Sequence, residues 1–228
     1  ADLIDSVSKR FAVEPSVIVA IVGVETRYGQ HMGKYRVLDA LATLGFDYPK
    51  RSKFFLKQLE EFLLLTREEN LPTNALLGSY AGAMGYGQFI PSSYRAYAVD
   101  YDGDNVADIW SNTADALGSV ANYFKQHGWR AGEAVVAPLA NSTEFNQRKP
   151  HISLGDLKQR GLTLSATPTD KRINDKTEVT PLQLQGEDGI EYWAGFHNFY
   201  VITRYNHSHM YAMAVHQLSE AIAEARTP

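Results

Sequence analysis

Glu25 lies in the apolar run SVIVAIVGVETRYG, three residues after Val22, four after Ile21 and seven after Ile18. On a helix those offsets bring its carboxylate onto the face that carries the aliphatic side chains. Pro15 suits the first turn and Gly29 the position just past the end, so the run predicts one buried helix. A carboxylate on a buried face is costly to ionise, which raises its pKa and makes it a general acid near neutral pH. The alternative is a structural ion pair, for which Arg27 and Arg36 are the neighbouring partners.

A second constellation is GSYAGAMGYGQFIPSSY, which sets Gly78, Gly82, Gly85 and Gly87 among small and aromatic residues. Glycines at this density let a ligand approach the backbone and meet free amides. The spacing fits neither a phosphate loop nor GxGxxG, and a loop that only turns tightly would show the same glycines. Ser79 and Gln88 flank them and could bond the amide or hydroxyl groups of a polar ligand. The aromatics turn the reading toward sugars. Tyr80, Tyr86, Phe89 and Tyr94 lie in the segment, and Tyr123, Tyr200 and Tyr205 follow, in a chain with 13 tyrosines. Tyrosine matches the C–H faces of a sugar with its ring and the hydroxyls with its tip, although any single tyrosine serves equally well in a core.

In DYDGDNVADIWSNTAD, Asp100, Asp102 and Asp104 occupy positions one, three and five of a calcium loop, and Val106 offers its carbonyl at the seventh. Asn105 stands where such a loop prefers glycine; asparagine enters positive φ more readily than most residues. Ser111 replaces the bidentate glutamate at the twelfth position, which leaves Asp115 as the distant carboxylate. Three carboxylates this close repel one another unless a cation or solvent intervenes, and the motif favours Ca²⁺ over a solvated acidic turn. The histidines form neither HExxH nor a helical metal pair, and GxSxG is absent, so catalytic zinc and serine-hydrolase chemistry lack support. Lys50 and Arg51, after FDYP, suit a carboxylate-bearing ligand or solvent alone.

These residues need a scaffold, and the flanking patterns describe a mainly helical one. Helical periodicity runs through ADLIDSVSKRF, VLDALATLGFDYP, RSKFFLKQLEEFLLLTREEN, SSYRAYAV after Pro91, TADALGSVANYFKQHGW and HMYAMAVHQLSEAIAEAR. From Glu133 to Glu191 the runs EAVVAPL, LTLSA, TEVTPLQL and EYWAGF are short, β-prone and separated by Gly, Pro, Asn and Asp. The predicted class is α+β, mainly α. Residues 1–132 form a helical core holding the acidic loop, 133–191 a small β-containing lobe, and 192–228 a return to the core. Of 228 residues, 44% are hydrophobic and 21% charged at a formal net charge of -4, a globular balance with nothing that attracts nucleic acid. The absence of cysteine excludes disulfides and thiolate metal sites. No apolar stretch approaches a membrane span and no signal peptide is visible; a start within helical pattern leads us to expect a leader or anchor removed upstream.

Four motifs in order, from about Val17 to His216, resemble the lytic transglycosylase B family: IVGVETRYGQHMGKYRVLDALATLGFDYP, GSYAGAMGYGQFIPSSY, DYDGD…ADALGSVANYF and NFYVITRYNHS. These are bacterial peptidoglycan-cleaving enzymes with a lysozyme-like core. The resemblance implies cleavage of the β-1,4 bond between N-acetylmuramic acid and N-acetylglucosamine, the muramic C6 hydroxyl closing onto its own anomeric carbon to give a 1,6-anhydro product. It implies Glu25 as the sole acid/base. Cleavage by water uses two carboxylates flanking the bond, whereas an intramolecular nucleophile needs one group that protonates the leaving oxygen and then takes the C6 hydroxyl proton. By the same resemblance Ser79 orients the acetamido group, Gln88, Tyr123, Tyr205 and Asn206 line the cleft, and Lys50 and Arg51 meet the peptide stem. The Asp100 loop becomes an EF-hand-like calcium site with Asp115 as its distant ligand. Phe54 departs from the pattern, standing where relatives commonly have tyrosine. The implied setting is the periplasm of a Gram-negative bacterium, soluble or tethered to the outer membrane through an N-terminal segment, with glycan strands and muropeptides as partners. Two other functions fit fewer residues: a water-using muramidase, with Asp39 and Asp47 the nearest second carboxylates, and a non-catalytic peptidoglycan-binding module.

Overall fold

The computed structural model describes residues 2–140, 147–166 and 170–226. It divides into two compact units, Ala1–Gln126 and His127–Pro228. Stretches 141–146 and 167–169 of the expected β-containing lobe lie outside the described residues.

The first unit follows the helical patterns closely. It contains α1 (Asp2–Phe11), α2 (Pro15–Thr26), α3 (Val37–Asp47), α4 (Ser52–Glu68), α5 (Pro91–Tyr97) and α6 (Thr113–Gln126). Prolines punctuate them: Pro15 and Pro91 open α2 and α5, where the missing N–H costs nothing. A short antiparallel ribbon pairs β1 (Tyr35–Arg36) with β2 (Leu77–Gly78). Helix α2 packs on α1 and α6, and α4 packs on α3 and α5. Ile18, Ile21, Leu41, Phe62, Leu65, Met84, Ile109 and Phe124 are fully buried, each such side chain stabilising the fold by about 1.5–3 kcal/mol relative to exposure. From Val17 to Val24 helix α2 carries no polar side chain at all, and a helix that is apolar all round belongs in a core.

The second unit holds a four-stranded antiparallel sheet in the order β3–β6–β5–β4, from β3 (Val136–Pro138), β4 (Ile152–Ser153), β5 (Glu178–Gln185) and β6 (Ile190–Gly195). The β5–β6 hairpin sets the register, with Leu182 opposite Trp193 and Gln185 opposite Ile190. LTLSA, expected as a strand, contributes only a single bridge between Leu139 and Leu164. A short helix α7 (Leu154–Gln159) is capped by the Ser153 hydroxyl, which accepts the Asp156 N–H at 3.0 Å. Ile152, Leu157, Val179, Ala194 and Phe196 form the core of this sheet. Two helices complete the unit, α8 (His197–Tyr205) against β6 and α9 (His209–Arg226) against β5 and α8. Residues 192–228 therefore fall, by contact density, within the second unit. No helix of the described residues is long and apolar enough to cross a membrane.

Candidate functional site

Glu25 is the penultimate residue of α2, one turn beyond the fully buried Ile21. It is half-buried, because the fully enclosed stretch of the helix ends at Val22 and Val24 is already exposed. The sequence-based picture of a carboxylate sunk in an apolar face is corrected to that extent. The chain leaves α2 through three successive left-handed residues, Arg27 (φ 48°), Tyr28 (φ 59°) and Gly29 (φ 88°). Next to Glu25, the buried Thr26 hydroxyl accepts the Gly29 N–H at 3.0 Å and lies 3.1 Å from the Val22 carbonyl and 3.0 Å from that of Tyr86. Sequence reading overlooks Thr26, since its distant partner is 60 residues away. Arg36, one of the two cations weighed as a partner for Glu25, pairs with Asp39 at 2.6 Å on the surface.

The glycine-rich segment is folded by its own backbone. Ser79 N–H donates to the Ala83 carbonyl at 2.8 Å, and Met84 and Phe89 exchange two hydrogen bonds at 2.9 Å. The Ser79 oxygen accepts the Ala83 N–H at 3.0 Å and the Ala81 N–H at 3.3 Å, which leaves its O–H to donate outward. Gln88 sits in the left-handed region at φ 50°. Its amide nitrogen donates to the carbonyls of Met32 (3.2 Å) and Gly85 (3.0 Å), which leaves Oε1 as an acceptor. Ser79 and Gln88 thus offer one donor and one acceptor. Close approach of backbone fixes glycine at Gly33 and Gly85, among others. A Cβ at Gly33 (φ 99°) would strike the backbone of Gly78 and Ser79, and one at Gly85 (φ 67°) would strike the Ile109 carbonyl. Residues 30–35 with Ser79 and Tyr80 enclose a concavity of about 420 Å³. Tyr80 stands 73% exposed at its edge.

The remaining aromatics divide by burial. Tyr86 is half-buried. Phe89 and Tyr123, read from the sequence as ligand-facing, are only 3% and 7% exposed. Their rings lie 5.9 Å apart and Tyr97 meets Tyr123 edge-on at 4.9 Å, so they pack in the core and offer a ligand little surface. Lys50 and Arg51 are exposed at the α3–α4 turn, and the Arg51 guanidinium sits 4.4 Å over the Phe54 ring. Tyr200, Tyr205 and Asn206 belong to the second unit, on α8 and its C-cap. Asn206 Oδ1 accepts the Ser208 N–H at 3.1 Å in the turn into α9.

The acidic loop gathers Asp100, Asp102, Asp104 and Asp115 so that one oxygen from each lies within 4.8 Å of the others. Asp100 accepts the N–H groups of Gly103 (2.6 Å), Asn105 (2.8 Å) and Asp104 (3.2 Å), folding the loop back on its first residue. Asn105 adopts φ 73°, the conformation anticipated from its position. Val106 N–H donates to Asp104 at 2.9 Å, and its carbonyl accepts from Asp108 at 3.1 Å with a second lone pair to spare. Asp115, wholly buried in the first turn of α6, accepts from Tyr101 (2.7 Å) and Asp108 (2.9 Å). Burial raises its pKa against those two N–H donors, and the charges of Asp102 and Asp100 push it further up. Burial also works on Asp100, yet the N–H groups of Asn105, Gly103 and Asp104 hold its carboxyl below the usual range. A buried carboxylate crowded by like charges is the situation a divalent cation relieves. The loop is tied down by the Tyr94 hydroxyl, which donates to the Ala107 carbonyl at 2.8 Å. It reaches the glycine-rich segment through the Tyr86 N–H, which donates to the Ile109 carbonyl at 3.0 Å.

A family model described as the transglycosylase SLT domain matches residues 1–220. Membrane-bound lytic murein transglycosylase B of Escherichia coli (strain K12) is 50% identical over 219 residues, covering 95% of this chain and 59% of that protein. The chain therefore spans about three fifths of that relative's length. The soluble lytic transglycosylase SltB1 from Pseudomonas aeruginosa superposes with a TM-score of 0.91 at 51% identity, over 100% of this chain and 76% of that one. The Escherichia coli lytic transglycosylase Slt35 in complex with calcium superposes with a TM-score of 0.90 at 47% identity, over 100% and 72%.

Proposed function

The chain belongs to the transglycosylase SLT domain family, and on that premise we propose that it is a lytic transglycosylase that cuts peptidoglycan glycan strands without consuming water. Glu25, protonated, donates to the oxygen linking N-acetylmuramic acid to N-acetylglucosamine as that bond breaks. The acetamido carbonyl of the muramic sugar assists at the anomeric carbon. The Glu25 carboxylate then takes the proton of the C6 hydroxyl while the C6 oxygen bonds to the anomeric carbon, which closes the 1,6-anhydro ring and returns Glu25 to its starting state. One carboxylate suffices because the nucleophile is delivered by the substrate itself.

The observation that carries this reading is the pairing of a single half-buried carboxylate with an amide-reading segment. Thr26 ties the end of α2 to Tyr86, and the segment holding Tyr86 presents the donor of Ser79 and the acceptor of Gln88. An acetamido group, with one carbonyl and one N–H, is complementary to those two functions. Tyr80 and Tyr86 offer faces for sugar rings, and Lys50 and Arg51 suit the carboxylates of the peptide stem. Asp100, Asp102, Asp104, Asp115 and the Val106 carbonyl would hold Ca²⁺ as an EF-hand-like site, in line with the calcium complex of Slt35. The ion's role would be structural, bracing the loop that reaches Tyr86 through Ile109. The substrate places the protein in the periplasm of a Gram-negative cell.

The test is mass spectrometry of the products released from purified sacculi by wild type and Glu25→Gln. Products one water lighter than reducing-end muropeptides, reduced by about 10²–10⁴-fold in the variant, are expected. Reducing-end products would mean a water-using muramidase, and none from either protein would leave a binding module. Of the carboxylates weighed for the muramidase route, Asp39 is already engaged by Arg36 at the surface.

A further inference from the structure

The second unit contains a cavity of about 600 Å³ that none of the preceding chemistry uses. Its walls are strongly charged, with cations and carboxylates interspersed. Arg172 is bound by Asp170 at 2.8 Å and Arg130 by Glu133 at 3.4 Å. Asp170 is held ionised, its pKa drawn down to about 2 by the hydrogen bonds of the Arg172 guanidinium. Once these pairs are set aside, Lys149, Lys176 and Glu178 remain, exposed at the cavity and with no ion-pair partner among the described residues. Between the charges lie apolar surfaces from Ile173, the buried Phe196 and the half-buried Tyr200.

The pattern selects a ligand. A phosphate or nucleotide is best held by arginine forks, and both arginines here are engaged by carboxylates of the same wall. A neutral sugar leaves two ammonium groups and a carboxylate unanswered. A short peptide with free carboxylates, an aliphatic stem and a free amine answers all three, and the volume lies in the range of small-ligand pockets. We infer that this cavity binds the peptide branch of peptidoglycan, its carboxylates meeting Lys149 and Lys176 and its free amine meeting Glu178. The inference rests on the peptidoglycan reading above and adds a peptide site on the second unit, separate from Lys50 and Arg51. Such contacts at exposed lysines are individually weak, so the site supplies selectivity for peptide-bearing strands more than tight binding.

The experiment has two arms. In the first, the free tripeptide alanyl-γ-glutamyl-diaminopimelate is titrated calorimetrically into Glu25→Gln protein, with and without Lys149→Glu and Lys176→Glu. Binding that weakens about tenfold or more with the lysine changes, and is retained by Lys149→Arg with Lys176→Arg, is expected. Absent binding to the parent, or equal binding to all three proteins, overturns the inference. In the second arm, the lysine variants are assayed with active Glu25 on intact strands and on strands stripped of peptide by an amidase. The expected result is a raised KM on intact strands with kcat unchanged, and no change on stripped ones. An equal loss on both substrates overturns the inference. If no protein releases anhydro products from either substrate, the transglycosylase reading falls, while the titration still decides whether the cavity takes the peptide.

Discussion

A threonine hydroxyl next to Glu25 does what no feature of the local sequence announces. Glu25 itself is legible, because a carboxylate within Val, Ile and Gly at helical offsets is a conflict that calls for a reason. Thr26 is not, because a β-branched polar residue at a helix end looks ordinary until Tyr86 is brought beside it from 60 positions away. Ser79 and Gln88 are intermediate. Their types mark them as ligands for something polar, but only the fold shows that Ser79 spends its lone pairs on Ala81 and Ala83 and that Gln88 spends its N–H₂ on Met32 and Gly85. What each has left to offer is the reverse of what it uses internally. Thr26→Val keeps the shape and removes the hydroxyl, so its effect isolates the tie between α2 and the glycine-rich segment. We expect kcat to fall about tenfold with KM little changed, through misplacement of the neighbouring carboxylate, and stability to fall by about 1–2 kcal/mol. Steady-state kinetics and denaturant unfolding of the variant check both; an unchanged kcat would remove Thr26 from any positioning role.

Among the elements, the long amphipathic helices were the legible ones, since α3, α4 and α6 bury stripes at helical spacing and are bounded by proline or glycine. Helix α8 is different. Val201, Ile202 and Thr203 are β-branched and adjacent, residue types that intrinsic propensity favours in strands, yet all three are buried within a helix that packs on β6 and α9. Tertiary packing overrides propensity there. The ribbon of β1 and β2, two residues a strand, is too short for any periodicity to show. The acidic loop was legible as a ligand pattern down to the left-handed Asn105. Its engagement by Asp108, which accepts from Trp110 and Ser111 at 2.9 Å, was not. If the loop holds Ca²⁺, the ion stabilises only the folded loop. At a free concentration about 100 times its Kd it would contribute about 2.7 kcal/mol, or a rise in Tm of roughly 5–10 °C for a chain of this size. Calorimetric melts in calcium and in chelator, repeated with Asp102→Ala, test this. The exposed Asp102 leaves the core untouched, so the variant should melt as the wild type does in chelator, and an identical Tm under both conditions for the wild type would remove the structural ion.

On the scale of the whole molecule, the acid limit of stability follows from α9. His209 Nε2 and His216 Nδ1 are buried without hydrogen-bond partners among the described residues. Burial pushes both pKa values down; Arg148 adds to the effect at His209, and Glu220 opposes it at His216. The fold thus holds them neutral while the unfolded chain, titrating at about 6.5, takes protons first. Their contribution is complete above that pH and is lost as the pH falls below it. Tm should decline from pH 7 to pH 5, and His216→Leu should flatten the decline; parallel slopes for the two proteins would assign acid sensitivity elsewhere. Contact density sets the break between the two units at Gln126 and gathers α8 and α9 with the sheet. Gly33 and Gly85 bear on a different matter, the history such a chain can have. Each is fixed by the backbone atoms of another segment, Gly78 and Ser79 for one and Ile109 for the other, so shape alone forbids their replacement whether or not any bond is cut. A descendant of this fold would keep those glycines for shape alone, so a motif matched at them identifies the fold and carries no information about chemistry.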